Sequence, residues 1–107
     1  MAELDVSIVH LVVAKISVGT VASYGQIANL AGYPGKARWV GKILAQLPED
    51  STLPWHRVLN SQGVIRGPHL ALARARLIAE GVVVKNNRVD IHRYRWMTKA
   101  HIDDNRQ

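Results

Sequence analysis

Apolar residues recur at helical spacing near the start of the chain. Val9, Val12, Val13 and Ile16 fall on one face of a 3.6-residue period within residues 5–17. Several of these residues are β-branched, which lowers the intrinsic helix propensity of the segment. The periodicity nevertheless predicts a helix, with this apolar face turned towards a core.

A second helix is predicted after Ser23-Tyr24-Gly25-Gln26, which has the form of a capping box. In this pattern the Ser23 side chain caps the first turn and the Gln26 side chain reaches back to the Ser23 amide. We expect the helix to end near Gly32, because glycine readily forms a helix stop. Its predicted apolar face comprises Ile27, Leu30 and Ala31.

A third helix is predicted from Lys36 to Leu47, with an apolar stripe formed by Val40, Ile43, Leu44 and Leu47. Two short helices on either side of the turn at residues 32–35 indicate a helix-turn-helix, in which the start of the second helix comes nearest the bases. Gly41 inside this helix costs about 1 kcal/mol relative to alanine. It indicates a close approach of another backbone or a phosphate, or else a neutral accident.

Residues 48–69 are predicted to be irregular, because prolines and glycines interrupt them around a short apolar segment at Val58 and Leu59. A long helix is then predicted from about Leu70 to Glu80, ended by Gly81. Its inward face is expected to comprise Leu70, Ala73, Leu77 and Ile78.

A β-hairpin is predicted where residues 82–84 and 89–91 flank Lys85-Asn86-Asn87-Arg88, since asparagine tolerates the positive φ of a tight turn. The expected fold is therefore mainly α with a small β-hairpin, a winged helix-turn-helix. One domain is expected over residues 1–98, followed by a polar, frayed tail at residues 99–107.

The chain has 107 residues and no cysteine, which excludes disulfides, thiolate metal sites and sulfur nucleophiles. Its five histidines show no metal-ligand spacing, so no metal or cofactor is expected. No segment approaches the roughly 18 unbroken apolar residues of a membrane span. The start of the chain carries Glu3 and Asp5 instead of the basic region of a signal peptide, and we expect a cytosolic protein without a membrane partner.

Positive charge is concentrated in the middle of the chain. The formal net charge is +6, and twelve of the 14 lysines and arginines lie between residues 36 and 99. Such a stretch suits a polyanion, because each cation placed at a phosphate releases condensed counterions. A merely solubilising surface is the alternative. Arg93-Tyr94-Arg95-Trp96 suits phosphate contact and base stacking, or else packing of the tail on the domain.

The segment Pro54-Trp55-His56-Arg57-Val58 sets an indole, an imidazole and a guanidinium side by side. A serine hydrolase is not indicated, because the nearby serines and threonine lack a nucleophile-elbow pattern and an orienting carboxylate. The segment therefore favours a binding site over a hydrolytic one.

Three motifs occur in order: Val-Gly-Thr-Val-Ala-Ser-Tyr-Gly-Gln-Ile-Ala at residues 18–28, Ala-Arg-Trp-Val-Gly at 37–41 and Pro-Trp-His-Arg-Val at 54–58. Together they resemble the C-terminal domain of O6-alkylguanine-DNA alkyltransferases, over roughly residues 5–82. That family carries Pro-Cys-His-Arg-Val, and Trp55 stands here at the position of its alkyl-accepting cysteine. With this substitution, and without the family's separate N-terminal domain, the sequence resembles the alkyltransferase-like proteins.

The resemblance implies a role in nucleotide flipping for two residues. Tyr24 matches the tyrosine that rotates the phosphate of the target nucleotide, and Arg38 matches the arginine finger that enters the minor groove and fills the gap in the stack. Without the motifs, half-buried packing would explain Tyr24 and a solvated helix face would explain Arg38. Contacts to the DNA backbone are expected from Ser23, Lys36, Ala37, Gly41 and Lys42.

The resemblance also implies a pocket for the flipped base, lined by Trp55 and Tyr24. Ordinary core packing is the alternative for Trp55. Residues 60–69 correspond to the family's active-site loop, but their end, Arg66-Gly67-Pro68-His69, departs from its glycine-rich pattern. From charge and position we expect Arg66, ahead of His69, to contact the flipped base or its phosphate.

His56 and Glu80 match two members of the family's proton relay, which activates the cysteine. Because no thiol is present, we expect His56, Arg57 and Glu80 to remain as a structural hydrogen-bonded network, since buried polar groups without partners are costly. The family's relay asparagine falls on Leu47 by ungapped count, which argues further against catalysis.

The resemblance thus implies a monomeric, non-enzymatic protein that binds O6-alkylguanine in double-stranded DNA through the minor groove. It would flip the base into a Trp-lined pocket and mark it for nucleotide excision repair proteins. Two rivals stay open. A helix-turn-helix transcriptional regulator would need a dimerisation helix, which the pattern does not show, and a residual alkyltransferase or glycosylase would need a better nucleophile than indole.

Overall fold

Helix α1, Val6–Ala14, opens the part of the chain that the computed structural model describes, residues 4–98. Asp5 caps it by accepting a hydrogen bond from the Ser7 amide, at 2.9 Å. Val9 and Val13 are fully buried, and Ile16 follows them into the core. The helix predicted within residues 5–17 is therefore confirmed, and its apolar face is the one that packs.

The helix-turn-helix consists of α2, Tyr24–Leu30, and α3, Ala37–Ala45, with β1, Ala22–Ser23, immediately before α2. Ser23 Oγ accepts from the Gln26 amide at 3.0 Å, as predicted. The second half of the capping box is wrong, because Gln26 Nε2 donates to the Trp96 carbonyl at 3.1 Å. The inward placement of Leu30 is also wrong, since its side chain is 37 % exposed.

A parallel pair of two-residue strands lies at the centre of the fold. A single turn of 3-10 helix, Trp55–Arg57, leads directly into β2, Val58–Leu59. Ala22 pairs with Val58, and Ser23 pairs with Leu59. The sequence predicted an irregular region here, because two-residue strands leave no periodic signal. The pairing fixes the 3-10 turn beside the start of α2.

Helix α4, Leu70–Ala79, ends within one residue of the predicted position. Ala73 and Leu77 are buried, and Leu70 packs against the same cluster. Ile78 was predicted to face inward, but its side chain is 51 % exposed. The inward face of α4 is therefore narrower than the sequence pattern indicated.

The predicted hairpin turn is present, but its arms are not paired as expected. Lys85 and Arg88 exchange two backbone hydrogen bonds, of 3.0 and 2.9 Å, across Asn86 and Asn87, which both have positive φ. Beyond that bridge the second arm turns to another partner, because the Val89 amide donates to the Gly63 carbonyl at 2.8 Å. A short helix α5, Ile91–Tyr94, follows at once.

Two hydrophobic clusters form the interior. The first joins α1, α2 and α3, with Val58 and Trp96, and the second joins α4 to β2 and to the segments around Val82 and Val89. The described residues form a mostly helical structure, as the fold class predicted, but their two-stranded sheet is the parallel β1–β2 pair and not the expected hairpin. Within residues 4–98 no helix has the length and apolar character needed to cross a bilayer. The predicted frayed tail, residues 99–107, lies outside the described residues.

Candidate nucleic-acid interface

A cavity of ≈ 680 Å³, called the Trp55 cavity below, opens between the start of α2, the α3 helix, the 3-10 turn and the loop at residues 60–69. It lies where the two hydrophobic clusters meet, because Leu44 and Val58 of the first and Ile65 and Ala73 of the second line it. The predicted site residues brought together around it are Ser23, Tyr24, Ala37, Arg38, Gly41, Trp55, His56 and Arg66.

The charged side chains at this cavity differ in how they are placed. Arg38, in the first turn of α3, and Arg66, in the loop, are both exposed and line the opening. Lys36 and Lys42 are also exposed, but neither of them lines the cavity. The cavity therefore has two guanidinium groups at its mouth and a lining that is apolar in the larger part.

Trp55 is held in the cavity wall by Arg76 and His69, in addition to an edge contact with the neighbouring His56 ring. The guanidinium carbon of Arg76 lies 5.1 Å from the centre of the indole ring, within the range of a cation–π contact. The His69 ring is 5.7 Å away, and its Nδ1 lies 3.1 Å from Glu49 Oε1. Arg76 was not identified from the sequence. The sequence did carry one signal for Arg76: it lies one helical turn before Glu80, so both residues are on the same face of α4.

His56, Arg57 and Glu80 form one hydrogen-bonded network. His56 Nε2 lies 2.7 Å from Glu80 Oε2, and Arg57 donates from Nη2 to the same oxygen at 2.8 Å and from Nε to Oε1 at 2.9 Å. Arg57 Nη1 also donates to the Ile16 carbonyl at 2.8 Å, and the Gly19 amide donates to Glu80 Oε1 at 3.1 Å. The network therefore connects the 3-10 turn, the end of α1 and the end of α4.

The environment sets the charge state of this network. Burial opposes ionisation of Glu80, but hydrogen bonds from Arg57, His56 and the Gly19 amide outweigh it and lower the pKa of Glu80 to about 2. Burial lowers the pKa of His56 below its ordinary value of 6.5, although Glu80 partly opposes the shift. At neutral pH the imidazole is therefore neutral, and Nε2 carries the proton that is donated to the carboxylate.

Tyr24 lies beside α3 at the other wall of the cavity. Its burial raises the pKa of the phenol above 10.0, and the positive charge of Arg66 partly offsets the shift. A Cβ atom added to Gly41 would lie 3.9 Å from Tyr24 Cε1, so the glycine leaves room between the helix and the ring. The edge of the Tyr24 ring therefore lies next to a glycine of α3, and its hydroxyl is neutral.

Two buried polar atoms of the 3-10 turn find no hydrogen-bond partner within residues 4–98, namely Trp55 Nε1 and His56 Nδ1. Leu47, at the position of the family's relay asparagine, packs against the first hydrophobic cluster. Within the same described range, no group of three or more histidines or carboxylates is arranged to hold a metal ion.

Comparison with known proteins agrees with this architecture. The profile of the family described as "6-O-methylguanine DNA methyltransferase, DNA binding domain" matches residues 7–82. A protein named "DNA base-flipping protein" from Escherichia coli is 52 % identical over 88 residues, covering 79 % of this chain and 68 % of the relative. "Alkyltransferase-like protein 1" of Schizosaccharomyces pombe is 33 % identical over 97 residues, covering 82 % of this chain and 90 % of the relative.

Solved structures give the same result. The Schizosaccharomyces pombe Atl1 protein, crystallised with damaged DNA containing O6-carboxymethylguanine, superposes with a TM-score of 0.84 at 30 % identity and covers 91 % of this chain and 100 % of its own. The O6-methylguanine methyltransferase of Mycobacterium tuberculosis superposes at 0.65 with 33 % identity, over 74 % of this chain and 50 % of its own. The expected winged helix-turn-helix is confirmed. The chain belongs to the family of the 6-O-methylguanine DNA methyltransferase DNA-binding domain, among its alkyltransferase-like members.

Proposed function

We propose that this protein recognises O6-alkylguanine in double-stranded DNA, flips the base into the Trp55 cavity and holds it without repairing it. The observation that carries the proposal is the position of Trp55. It lines a cavity together with Tyr24, Arg38 and Arg66, in a chain that has no cysteine. An indole there offers a flat apolar surface to a purine and its alkyl group.

The arrangement of α2 and α3 suits the flipping step. Arg38 is exposed in the first turn of α3, where a guanidinium can enter the minor groove and replace the extruded base in the stack. Tyr24, at the start of α2, lies beside α3 in the cavity wall and would turn the phosphate of the target nucleotide. Extrusion costs a few kcal/mol, and less where alkylation has weakened the base pair, which supplies part of the lesion preference.

Contacts to the DNA backbone are proposed for Ser23, Lys36, Ala37, Gly41 and Lys42. Ser23, Ala37 and Gly41 support this role because they line the rim of the cavity, and Gly41 leaves α3 open to close approach. Lys36 and Lys42 are exposed on the same helical unit and would meet phosphates farther from the flipped base. Arg66 would bind the flipped base or its phosphate from the mouth.

The absence of a reaction follows from the chemistry of the residues. Indole is a far weaker nucleophile than a thiolate, so alkyl transfer to Trp55 is not expected. The neutral imidazole of His56 is engaged with Glu80, and Leu47 supplies no polar group. The proposed role of His56, Arg57 and Glu80 is to hold the 3-10 turn that carries Trp55.

A protein that binds a lesion without repairing it requires a second activity to remove the damage. We therefore propose that the bound complex is handed to nucleotide excision repair proteins, that the protein acts as a monomer on DNA and that it works in the cytosol or nucleoid. The names and the DNA complex of its relatives support recognition of damage.

Fluorescence anisotropy with labelled duplexes that differ only in one O6-methylguanine tests the proposal. We expect the lesion duplex to bind at least about tenfold more tightly, equivalent to about 1.4 kcal/mol. Trp55→Ala should lose most of that preference, whereas Leu11→Ala, at an exposed position of α1, should keep it. Equal affinity of the parent protein for both duplexes would reject lesion recognition and favour a transcriptional regulator.

Incubation with DNA carrying a radiolabelled O6-methyl group tests the non-enzymatic part. The label should stay on the DNA, and Trp55→Phe should give the same result as the parent protein. Stable transfer of label to the protein would overturn the proposal in favour of an alkyltransferase.

A further inference from the structure

A second, larger depression lies beside the Trp55 cavity. This depression, called the α5 groove below, has a volume of ≈ 1080 Å³ and runs between α2, the loop at residues 60–63, the turn at residues 85–88 and helix α5. Ser23, Gly25 and Ser61 line both the groove and the Trp55 cavity. The two concave surfaces are therefore continuous across a shared rim.

The groove is strongly cationic. Four cationic side chains line it, and none of them forms an ion pair with another residue between positions 4 and 98. Asp90 is the acidic residue among those lining it, and its carboxylate caps α5 by accepting from the Arg93 amide at 3.4 Å. The four side chains are exposed; they are Lys85, Arg88, Arg93 and Arg95.

The walls of the groove are fixed relative to each other. The Val21 amide donates to the Tyr94 carbonyl, and the Trp96 amide donates to the Val21 carbonyl, both at 2.8 Å. Gln26 Nε2 adds a bond from α2 to the Trp96 carbonyl, at 3.1 Å. Helix α5 and the residue pair after it are thus tied to Val21, just before β1, and to α2, so little backbone ordering is needed when a ligand binds.

We infer that the α5 groove binds the sugar-phosphate backbone of the DNA strand on one side of the flipped nucleotide. The inference rests on the proposed function only in placing that nucleotide in the Trp55 cavity. Its neighbours in the strand are covalently joined to it, so the backbone must leave the cavity across its rim. At Ser23, Gly25 and Ser61 that rim opens directly onto four cations that have no ion-pair partner within the described residues.

The occupant is a nucleic acid and not an acidic peptide, because the groove is continuous with the Trp55 cavity. A peptide ligand would gain nothing from sharing three rim residues with the Trp55 cavity, whereas a DNA strand with one flipped nucleotide has to pass that rim. Apolar groups of Leu30, Val83 and Ile91 in the groove suit the faces of sugars, and the cations suit phosphates. The contact would raise affinity without reading sequence.

The test compares two double variants that lose the same charge. Arg88→Gln with Arg95→Gln removes one cation from the turn and one from the segment after α5. Lys15→Gln with Arg74→Gln removes two exposed cations that line neither the groove nor the Trp55 cavity. Binding of an O6-methylguanine duplex is measured by anisotropy over a series of salt concentrations, and thermal unfolding checks that both variants fold.

We expect the groove variant to reduce the slope of log K against log salt by about 2, one for each lost phosphate contact, and the control variant to reduce it by much less. Because the groove lies on one side of the cavity, shortening the duplex on one flank of the lesion should abolish the difference. Shortening the other flank should preserve it.

Equal slopes for the two variants would overturn the inference and make an acidic protein the better candidate. A slope difference that persists when each flank is shortened in turn would also overturn it. The same titrations with a guanine duplex test the proposed function separately. If the parent protein binds the guanine and O6-methylguanine duplexes equally well but the slope difference between the variants remains, lesion recognition is rejected and the groove is still a DNA-binding surface.

Discussion

At the scale of single residues, Trp55 depends on its neighbours for its orientation. The Arg76 guanidinium lies over the indole, while His69 approaches it from the loop. A cation–π contact of this kind is worth about 0.5–2 kcal/mol, depending on how far it is shielded from water. Arg76 therefore acts as a positioning residue for the cavity wall, although it lies on α4, outside the helix-turn-helix.

Arg76→Met tests that role, because it keeps the aliphatic bulk and removes the cation. We expect the preference for an O6-methylguanine duplex over a guanine duplex to fall by roughly three- to tenfold, as the indole loses its fixed orientation. Arg74→Met, two residues away on the exposed face of α4, is the matched control. Anisotropy titrations should separate the two variants, and identical preferences would show that Arg76 does not position Trp55.

Gly41 offers a second test, in which stability and binding should move in opposite directions. The 3.9 Å separation from Tyr24 leaves room for a methyl group, so Gly41→Ala should raise the unfolding free energy by about 0.5–1 kcal/mol, the usual gain inside a helix. The methyl group would project where DNA is proposed to approach, and affinity should fall roughly tenfold. Urea unfolding and anisotropy measure the two effects, and unchanged affinity would remove Gly41 from the interface.

At the scale of elements, the segment at residues 82–91 depends on a close approach to the loop at residues 60–63. The Val89 amide donates to the Gly63 carbonyl, and Gly63 has a φ of +79°. A Cβ atom at Gly63 would overlap the Val89 carbonyl oxygen and lie 3.3 Å from Ile91 Cγ1. Only glycine fits there without moving the backbone, so this contact positions the turn at residues 85–88 and helix α5.

Gly63→Ala should therefore lower the unfolding free energy by about 3 kcal/mol or more, the sum of left-handed strain and a backbone clash. Gly35→Ala is the control, because φ at Gly35 is +83° but nothing lies within 4 Å of the added atom. The control should lose only about 1 kcal/mol, the cost of the strained conformation alone. Equal losses in urea unfolding would show that the contact with Val89 contributes little.

The elements that the sequence predicted are those with a local cause. The helices around Val9, Val40 and Leu77 follow from apolar periodicity, and the turn at Asn86 and Asn87 follows from their tolerance of positive φ. The β1–β2 pair could not be predicted, because each strand has two residues and is defined only by its distant partner. The predicted pairing of the hairpin arms was wrong for the same reason, because the Val89 amide bonds to the distant Gly63 carbonyl instead of to the first arm.

The candidate site shows the same division. Motifs at residues 18–28, 37–41 and 54–58 indicated Tyr24, Arg38 and Trp55, and the structure places these side chains around one cavity. Arg76 and the α5 groove arise from contacts between segments far apart in the chain, which periodicity and spacing do not encode. The residues that could be named were those that occur in a motif.

At the scale of the whole molecule, the network around Glu80 couples folding to pH. The pKa of Glu80 is lowered to about 2 from 4.5, so its ionised form stabilises the folded chain above pH 4.5 and this contribution is lost as the pH falls towards 2. The pKa of His56 is lowered from 6.5, so protonation favours the unfolded chain once the pH drops below that value. Both effects reduce stability in acid.

Urea unfolding across pH should therefore show the unfolding free energy falling first below pH 6.5 and again below pH 4.5. Glu80→Gln should cost about 2–4 kcal/mol at neutral pH, because Arg57 loses its charged partner, and should flatten the decline below pH 4.5. Asp50→Asn, at an exposed carboxylate, should follow the parent profile. If the unfolding free energy of Glu80→Gln changes with pH in parallel with that of the parent, the network is not the cause of the acid sensitivity.

The boundary between the two hydrophobic clusters also sets how the protein can adapt to its ligands. Each cluster supplies part of the wall around Trp55, so the width of the space between them depends on the contacts that join the clusters, among them the hydrogen bonds of Gly19 and Arg57 to Glu80. If the flipped base occupies this space as proposed, tolerance of lesion size becomes a property of how firmly the two clusters are joined. A single mutation far from DNA could in this way broaden or narrow the repertoire of damage.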